Sequence, residues 1–251
     1  MFETSVEVYY KDLKNQIEYR DGSLPGASLK DNSDNQFVFG NGQAYGVEFF
    51  VKKRQGKFNG WVGYTLSWTT RTFPDINQGR IYYAKYDRRH DISIVLSYDL
   101  SKKWTFSAVW VYATGNAITV PQSYYFIDGN FVTEYGDRNA FRMPPYHRLD
   151  LSSTFTPDRA KHLERKKKRL IRRRGLDENT TTLETLKLPR RWLKDYESSW
   201  NFSIFNVYNR HNPYIVYFAN EGSAYDGTLK IKAKQVYLFP IVPSVTWNFK
   251  F

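Results

Sequence analysis

The stretch that decides the fold is the last one, Gln235–Phe251, QVYLFPIVPSVTWNFKF. Phe251, Phe249, Trp247, Val245, Pro243, Ile241, Phe239 and Tyr237 occupy alternate positions; Lys250, Asn248, Thr246 and Ser244 fall between them. A strand has a side-chain period of two, so the stretch has one apolar wall and one polar wall. Its length exceeds the roughly 9–11 residues with which a tilted strand crosses a bilayer. It predicts the closing strand of a transmembrane β-barrel, with lipid on one side and water or a plug on the other. Taken alone, the stretch also fits an edge strand of a soluble β-sandwich.

The same alternation recurs upstream. Val6, Val8 and Tyr10 mark a first strand running to about Tyr19, followed by a Gly-, Asn-, Asp- and Ser-rich loop, 21–42. Tyr45, Val47, Phe49 and Val51 mark a second, ended by Lys52-Lys53-Arg54 and the tight turn Gln55-Gly56-Lys57. A third sets Phe58, Val62, Tyr64, Leu66 and Trp68 against Asn59, Gly63, Thr65 and Ser67. After a loop over 71–87, a fourth carries Ile92, Ile94, Leu96 and Tyr98, and a fifth, past Ser101-Lys102-Lys103, carries Trp104, Phe106, Ala108, Trp110 and Tyr112. A very long loop, 113–145, precedes a sixth strand with Leu149, Leu151 and Phe155. A basic insertion, 157–191, precedes a seventh with Trp200, Phe202 and Ile204, and the loop 211–234 leads to the eighth.

Long and short connections therefore alternate. Outer-membrane barrels have long external loops and short periplasmic turns. With the end of the last strand periplasmic, every long loop falls outside, and both tight turns and the basic insertion fall inside. The expected fold class is all-β: an antiparallel transmembrane β-barrel with about eight strands in this chain.

Composition agrees. Aromatics make up 18% of the 251 residues, as expected where aromatic girdles sit at two membrane interfaces. There are no cysteines, which removes disulfide frameworks and thiolate metal sites. No run of 18 apolar residues predicts a transmembrane helix. MFETSVEVYY has neither the basic nor the apolar region of a signal peptide. The expectation is that this is the C-terminal piece of a longer exported protein.

Several stretches, in order, resemble TonB-dependent outer-membrane receptors of the Bacteroidetes type. They are Tyr45-Gly46-Val47-Glu48, Tyr83-Ala84-Lys85-Tyr86-Asp87-Arg88-Arg89-His90-Asp91, Ala113-Thr114-Gly115-Asn116 with Thr119-Val120-Pro121, Tyr146-His147-Arg148-Leu149-Asp150, Phe205-Asn206-Val207-Tyr208-Asn209-Arg210-His211-Asn212-Pro213, and Phe239-Pro240-Ile241-Val242-Pro243-Ser244. The resemblance covers the chain except the basic insertion. It implies that residues 1–251 are the C-terminal portion of a 22-stranded barrel in the outer membrane of a Gram-negative bacterium, with the plug domain lying elsewhere. It further implies energy-dependent uptake of a scarce large solute (siderophore, vitamin, oligosaccharide or peptide) driven by the TonB energising complex. In proteins of this kind the alternating aromatic C-terminus is read by the barrel-assembly machinery, which makes Phe251, Phe249 and Trp247 the expected assembly signal.

The sequence does not predict catalytic chemistry. His90, His147, His162 and His211 are scattered, and HExxH, GxSxG and phosphate-loop motifs are absent, so neither an enzyme nor a metal or cofactor site is expected. Arg89 with Asp91, and Arg148 with Asp150, lie two apart on the polar face and are expected to form charge pairs in the wet lumen, where charges are tolerated. The loop aromatics Tyr82, Tyr83, Tyr86, Tyr124, Tyr125, Phe126, Phe131 and Tyr135 are the candidate solute contacts, since rings give large stacking surfaces; packing between loops and an upper girdle are the alternative uses.

The tract Arg159–Arg174, RAKHLERKKKRLIRRR, has ten Lys or Arg against one Glu, leaving +9 of the chain's net +12. Alone it fits a soluble β-sandwich module that grips an anionic polymer. On the tight-turn side of a barrel it is expected to be a solvated, partly disordered turn extension, or to touch outer-membrane lipid or an acidic partner. Nucleic acid is not the expected partner.

Overall fold

The computed structural model describes residues 1–20, 36–127, 130–175, 197–222 and 227–250. In chain order the strands are β1 (Phe2–Tyr19), β2 (Phe37–Lys53), β3 (Phe58–Thr72), β4 (Tyr82–Tyr83), β5 (His90–Asp99), β6 (Trp104–Ala113), β7 (Ala117–Ile118), β8 (Pro121–Ile127), β9 (Asn130–Tyr135), β10 (Phe141–Arg142) and β11 (Tyr146–Phe155). The helix α1 (Arg159–Arg174) follows, then β12 (Glu197–Phe205), β13 (Ile215–Glu221), β14 (Lys230–Val236) and β15 (Val242–Lys250).

Eight of these strands form one antiparallel meander in the order β1-β2-β3-β5-β6-β11-β12-β15, each beside its chain neighbour. This is the predicted eight-strand, all-antiparallel architecture, the wall of a β-barrel. The short strands β4 and β7 to β10, and the hairpin β13–β14, stand in the long connections at one end. The two tight turns and the connection holding α1 are at the other.

The register explains why the sheet has two characters. Across β5, β6 and β11, Leu96 aligns with Ala108 and Leu151, and Ile94 with Trp110 and Leu149. One residue along, Ser97 aligns with Ser107 and Ser152. The polar face is a ladder of side-chain bonds: Thr105 Oγ1 donates to Asp99 (2.7 Å), Asn201 Nδ2 to Thr154 Oγ1 (2.9 Å), and Ser203 meets Ser244 at 2.7 Å. The apolar face is uncovered: Val8 is 75% exposed and Val245 62%. A sandwich would bury that face under a second sheet, and among the described residues none lies over it.

Rings edge the apolar face at both ends. At the tight-turn end Trp104, Phe155, Trp200 and Trp247 share one register row across four strands, with ring centroids 4.8 Å apart for Trp104–Phe155 and 5.8 Å for Trp200–Trp247. At the loop end Tyr45 stacks on Trp68 at 5.4 Å, and Tyr112 aligns with His147, whose ring meets Tyr208.

Three expectations change. The closing strand is the nine residues Val242–Lys250, not the whole of 235–251. Gln235 and Val236 belong to the hairpin, facing Val216 and Ile215. Pro240 has no N–H for a ladder, and the Ile241 N–H is taken by Asn209 Oδ1 at 3.0 Å, so alternation continues through 237–241 without a strand. The second strand begins at Phe37, inside the stretch assigned to a loop; the rest of that loop, 21–35, lies outside the described residues. Gly40 pairs with Gln16 of β1, and it is glycine because a Cβ there would sit 2.4 Å from the Phe73 ring. Finally, the first half of the basic insertion, for which no secondary structure was expected, is the sixteen-residue helix α1; its sequence holds neither Gly nor Pro, and Lys, Arg and Leu are good helix formers. Residues 176–196 lie outside the described residues. No helix among the described residues is long and apolar enough to cross a membrane.

Candidate functional site

The long connections pack on one another at the loop end of the sheet. Their small apolar core is Val38, Phe73, Ile76 and Tyr82. Their polar centre is Asp87, which is fully buried. Its carboxylate accepts from the Thr69 N–H at 2.6 Å, from Arg142 Nη2, and from Arg89 Nη2 at 3.4 Å. Arg142 Nη1 also donates to the Asp87 carbonyl at 2.6 Å. Both guanidiniums lie over the Tyr83 ring, at 5.5 Å for Arg89 and 5.2 Å for Arg142, and Arg89 also covers Trp68 at 4.5 Å. A buried carboxylate is tolerated only when paired and hydrogen-bonded, and here one anion ties three separate chain segments.

A second buried polar residue, Asn206, does the same after β12. Its φ of 55° is left-handed, a region Asn tolerates better than most residues. Its Nδ2 donates to the carbonyls of Arg210 (2.9 Å) and Phe239 (3.1 Å), and its N–H donates to Asp150 (2.9 Å).

Between these two knots is a cavity of about 770 Å³, in the usual range for small-molecule sites. Its rings are Tyr86, Tyr146, Phe205, Tyr214, Phe218 and Phe239, and its charges are Lys85, Arg88, Arg138 and Arg148; among the described residues no carboxylate lines it. The carboxylates that pair with the arginines lie outside the cavity. Arg148 donates to Asp150 at 2.9 Å, Arg88 pairs with Asp91 at 3.6 Å, and Arg138 with Glu18 at 3.6 Å. Lys85 lies over the Tyr86 ring at 5.7 Å. The wall is aromatic and cationic, suited to an anionic or electron-rich solute.

The residues singled out from sequence separate. Arg148–Asp150 is a pair. Arg89–Asp91 is not: Arg89 pairs with Asp87, and Asp91 with Arg88. The period-two argument holds only within a strand, and β5 begins at His90; Asp87 closes a turn in which its N–H meets the Ala84 carbonyl at 2.9 Å, and Arg88 and Arg89 link that turn to the strand. Tyr82 is 5% exposed and packs on Phe73, so it is a core residue and not a solute surface. Tyr83 is a platform for the two arginines. Tyr86, 72% exposed, does line the cavity.

Tyr124, Tyr125, Phe126, Phe131 and Tyr135 lie on the β8–β9 hairpin, with Phe126 facing Phe131 in register. Tyr124, Tyr125 and Tyr135 do not line the cavity; the side chains of Phe126 and Phe131 lie outside what the structure describes. Tyr124 Oη instead reaches the Leu229 carbonyl (3.2 Å), joining this hairpin to the β13–β14 connection. Hydrogen bonds from Ser123 and Tyr125 hold Glu134 below the usual carboxylate range, and its carboxylate in turn raises the Tyr125 hydroxyl. Trp247 and Phe249 stand on β15 with rings 5.4 Å apart; Phe251 lies outside the described residues. Tyr146, Phe205 and Phe218 come from three strands, and Tyr214 and Phe239 from connections beside them, so no single period in the sequence marks them as a set. The sequence hint is that four of the five fall in or beside the family-like stretches.

No family model matches the sequence, and no curated protein does. Among solved structures, the ferripyoverdine receptor of the outer membrane of Pseudomonas aeruginosa, bound to ferripyoverdine, is similar at a TM-score of 0.47 and 12% identity. The match covers all of this chain and 25% of that one, so the chain spans about a quarter of the structure it resembles.

Proposed function

We propose that this chain is the C-terminal wall of an outer-membrane barrel of the TonB-dependent receptor type, and that the loop-end cavity holds part of a large solute during uptake. The observation that carries this is the two-faced meander: an uncovered apolar face edged by rings at both ends, and a hydrogen-bonded polar face behind it. In lipid every backbone polar group needs an internal partner; pairing on both sides supplies it for the six inner strands of the meander, and closure of the barrel supplies it for the edge strands β1 and β15. The apolar face then meets lipid, the polar face lines the lumen, the long connections point outside, and α1 lies in the periplasm. The plug and the segment that contacts the TonB energising complex belong to parts of the protein outside this sequence. The role is that of a receptor, with no enzymatic step. Trp247, Phe249 and Phe251 are the assembly signal for the barrel-assembly machinery.

The test is localisation with topology. Epitopes are inserted between residues 128 and 129 and within 176–196 in the native organism. The protein is expected in the detergent-dependent envelope fraction, with the first epitope labelled on intact cells and the second only after permeabilisation. Recovery in the soluble fraction without detergent overturns the proposal.

A further inference from the structure

The tight-turn end of the sheet is as basic as the loop end is aromatic. Lys52, Lys53, Arg54 and Lys57 flank the first turn, and Lys102 and Lys103 form the second. Lys53 lies along the Phe58 ring at 5.6 Å, the posture of a lysine that keeps its stem on apolar surface and its charge in water. α1 adds ten basic residues in sixteen.

At 100° per residue, Arg165, Lys168, Arg169 and Arg172 fall in one stripe, and all four are exposed. Lys167 and Arg174 lie on the opposite side, between Leu170 and Ile171, so basic residues run round the helix. Ile171 is only 4% exposed and already covered by protein, so α1 meets a membrane surface through charge, as a juxtamembrane polybasic segment does.

Its position fixes its depth. Phe155, the last residue of β11, is in the aromatic row with Trp104, Trp200 and Trp247. The next N–H, of Thr156, donates to the Lys103 carbonyl at 2.8 Å. Four residues from Phe155 to Arg159 reach at most about 14 Å, so α1 starts within that distance of the row. Rings of this kind mark the headgroup level of a bilayer.

We propose that α1 binds anionic phospholipid headgroups at the periplasmic surface of the membrane that holds the sheet. The proposal rests on the reading above for the side on which lipid lies. The covalent tie to an embedded strand favours this surface over a free anionic polymer, because it keeps the helix at high effective concentration beside the headgroups. A juxtamembrane Lys or Arg near an anionic leaflet strengthens attachment roughly fivefold per residue.

The experiment uses the protein purified from its native envelope. It is reconstituted into phosphatidylcholine vesicles, and into vesicles in which a quarter of the lipid is phosphatidylglycerol. Trypsin cleavage within 159–174 is followed by mass spectrometry. Cleavage is expected to slow at least tenfold in the phosphatidylglycerol vesicles, and the protection to vanish at about 1 M salt, where the screening length falls to about 3 Å. Combined substitution Arg165→Gln, Arg169→Gln, Arg172→Gln and Arg173→Gln should abolish protection at the remaining Lys and Arg sites; the matching Arg→Lys set should retain it, which separates charge from loss of the helix. Flotation with both vesicle types but equal cleavage overturns this proposal alone. Flotation with neither overturns it together with the receptor reading. Protection by duplex DNA and not by phosphatidylglycerol assigns the tract to a polymer and also overturns it.

Discussion

An arginine placed at Ala108 tests the two-faced sheet most directly. Ala108 lies on the apolar face of β6, between Leu96 of β5 and Leu151 of β11. It is four residues from Trp104 and four from Tyr112, the rings at the two ends of its strand. Eight residues at about 3.4 Å span about 27 Å along the strand. At the 35–45° tilt of a membrane barrel this is about 21 Å of depth, close to the roughly 25 Å of the apolar band. Ala108→Arg therefore puts a charge near the midplane, where the cost is about 2–4 kcal/mol. Every 1.4 kcal/mol is about tenfold in an equilibrium, so folded protein should fall by roughly thirtyfold to several hundredfold relative to unfolded. The control is Ser107→Arg, one residue earlier, between Ser97 and Ser152 on the polar face. It adds the same charge and nearly the same volume but meets the lumen. The assay is the heat-modifiable band of envelope protein on a gel, with unfolding in urea to obtain the difference in free energy. If the two variants fold equally well, the apolar face does not meet lipid and the barrel reading fails.

Other perturbations probe the loop end and the termini. Asp87→Ala strands Arg89 and Arg142 without their shared anion; breaking a buried pair costs about 3 kcal/mol or more, read as faster proteolysis of residues 73–145 with the sheet intact. Gly40→Ala drives a methyl into the Phe73 ring and the Thr72 carbonyl, 2.4 and 2.5 Å away, and should destabilise by about 1–3 kcal/mol in urea unfolding. Glu221 is held at about 2 by hydrogen bonds from Lys232 and Lys234 and by their charge. A depressed folded-state value means that its contribution to the β13–β14 hairpin is complete above the ordinary 4.5 and fades as pH falls through about 2. An NMR titration of the carboxylate should show that midpoint, and one near 4.5 would dismiss the fork. Deletion of Phe251 should lower the amount of assembled protein in the envelope, and unchanged levels would count against the assembly signal.

What was legible in the sequence follows from the physics of each feature. Strand alternation is local: Trp104, Phe106, Ala108, Trp110 and Tyr112 announce their face without reference to any other strand. The order of long and short connections then fixes the ends, because neighbouring strands in a meander pair with one another. Arg148–Asp150 was legible because both residues lie inside one strand. Arg89–Asp91 is not legible because the strand starts at His90, one residue later than the alternation suggests. The helix at 159–174 has no apolar period to announce it, since basic residues occupy ten of its sixteen positions; its only local signal is an uninterrupted run of helix formers.

The sequence by itself determined the two-faced strands, their number and the side of each connection, since all are properties of short segments read at period two. Only the tertiary structure decided that Asp87 binds Arg142, fifty-five positions away, that Asn206 ties its turn to Phe239, and that rings from three strands and the connections between strands enclose one cavity. Loop side chains carry no period that projects them toward a partner. Their meeting depends on which loops the sheet register sets side by side, and that becomes physical only when the strands are paired.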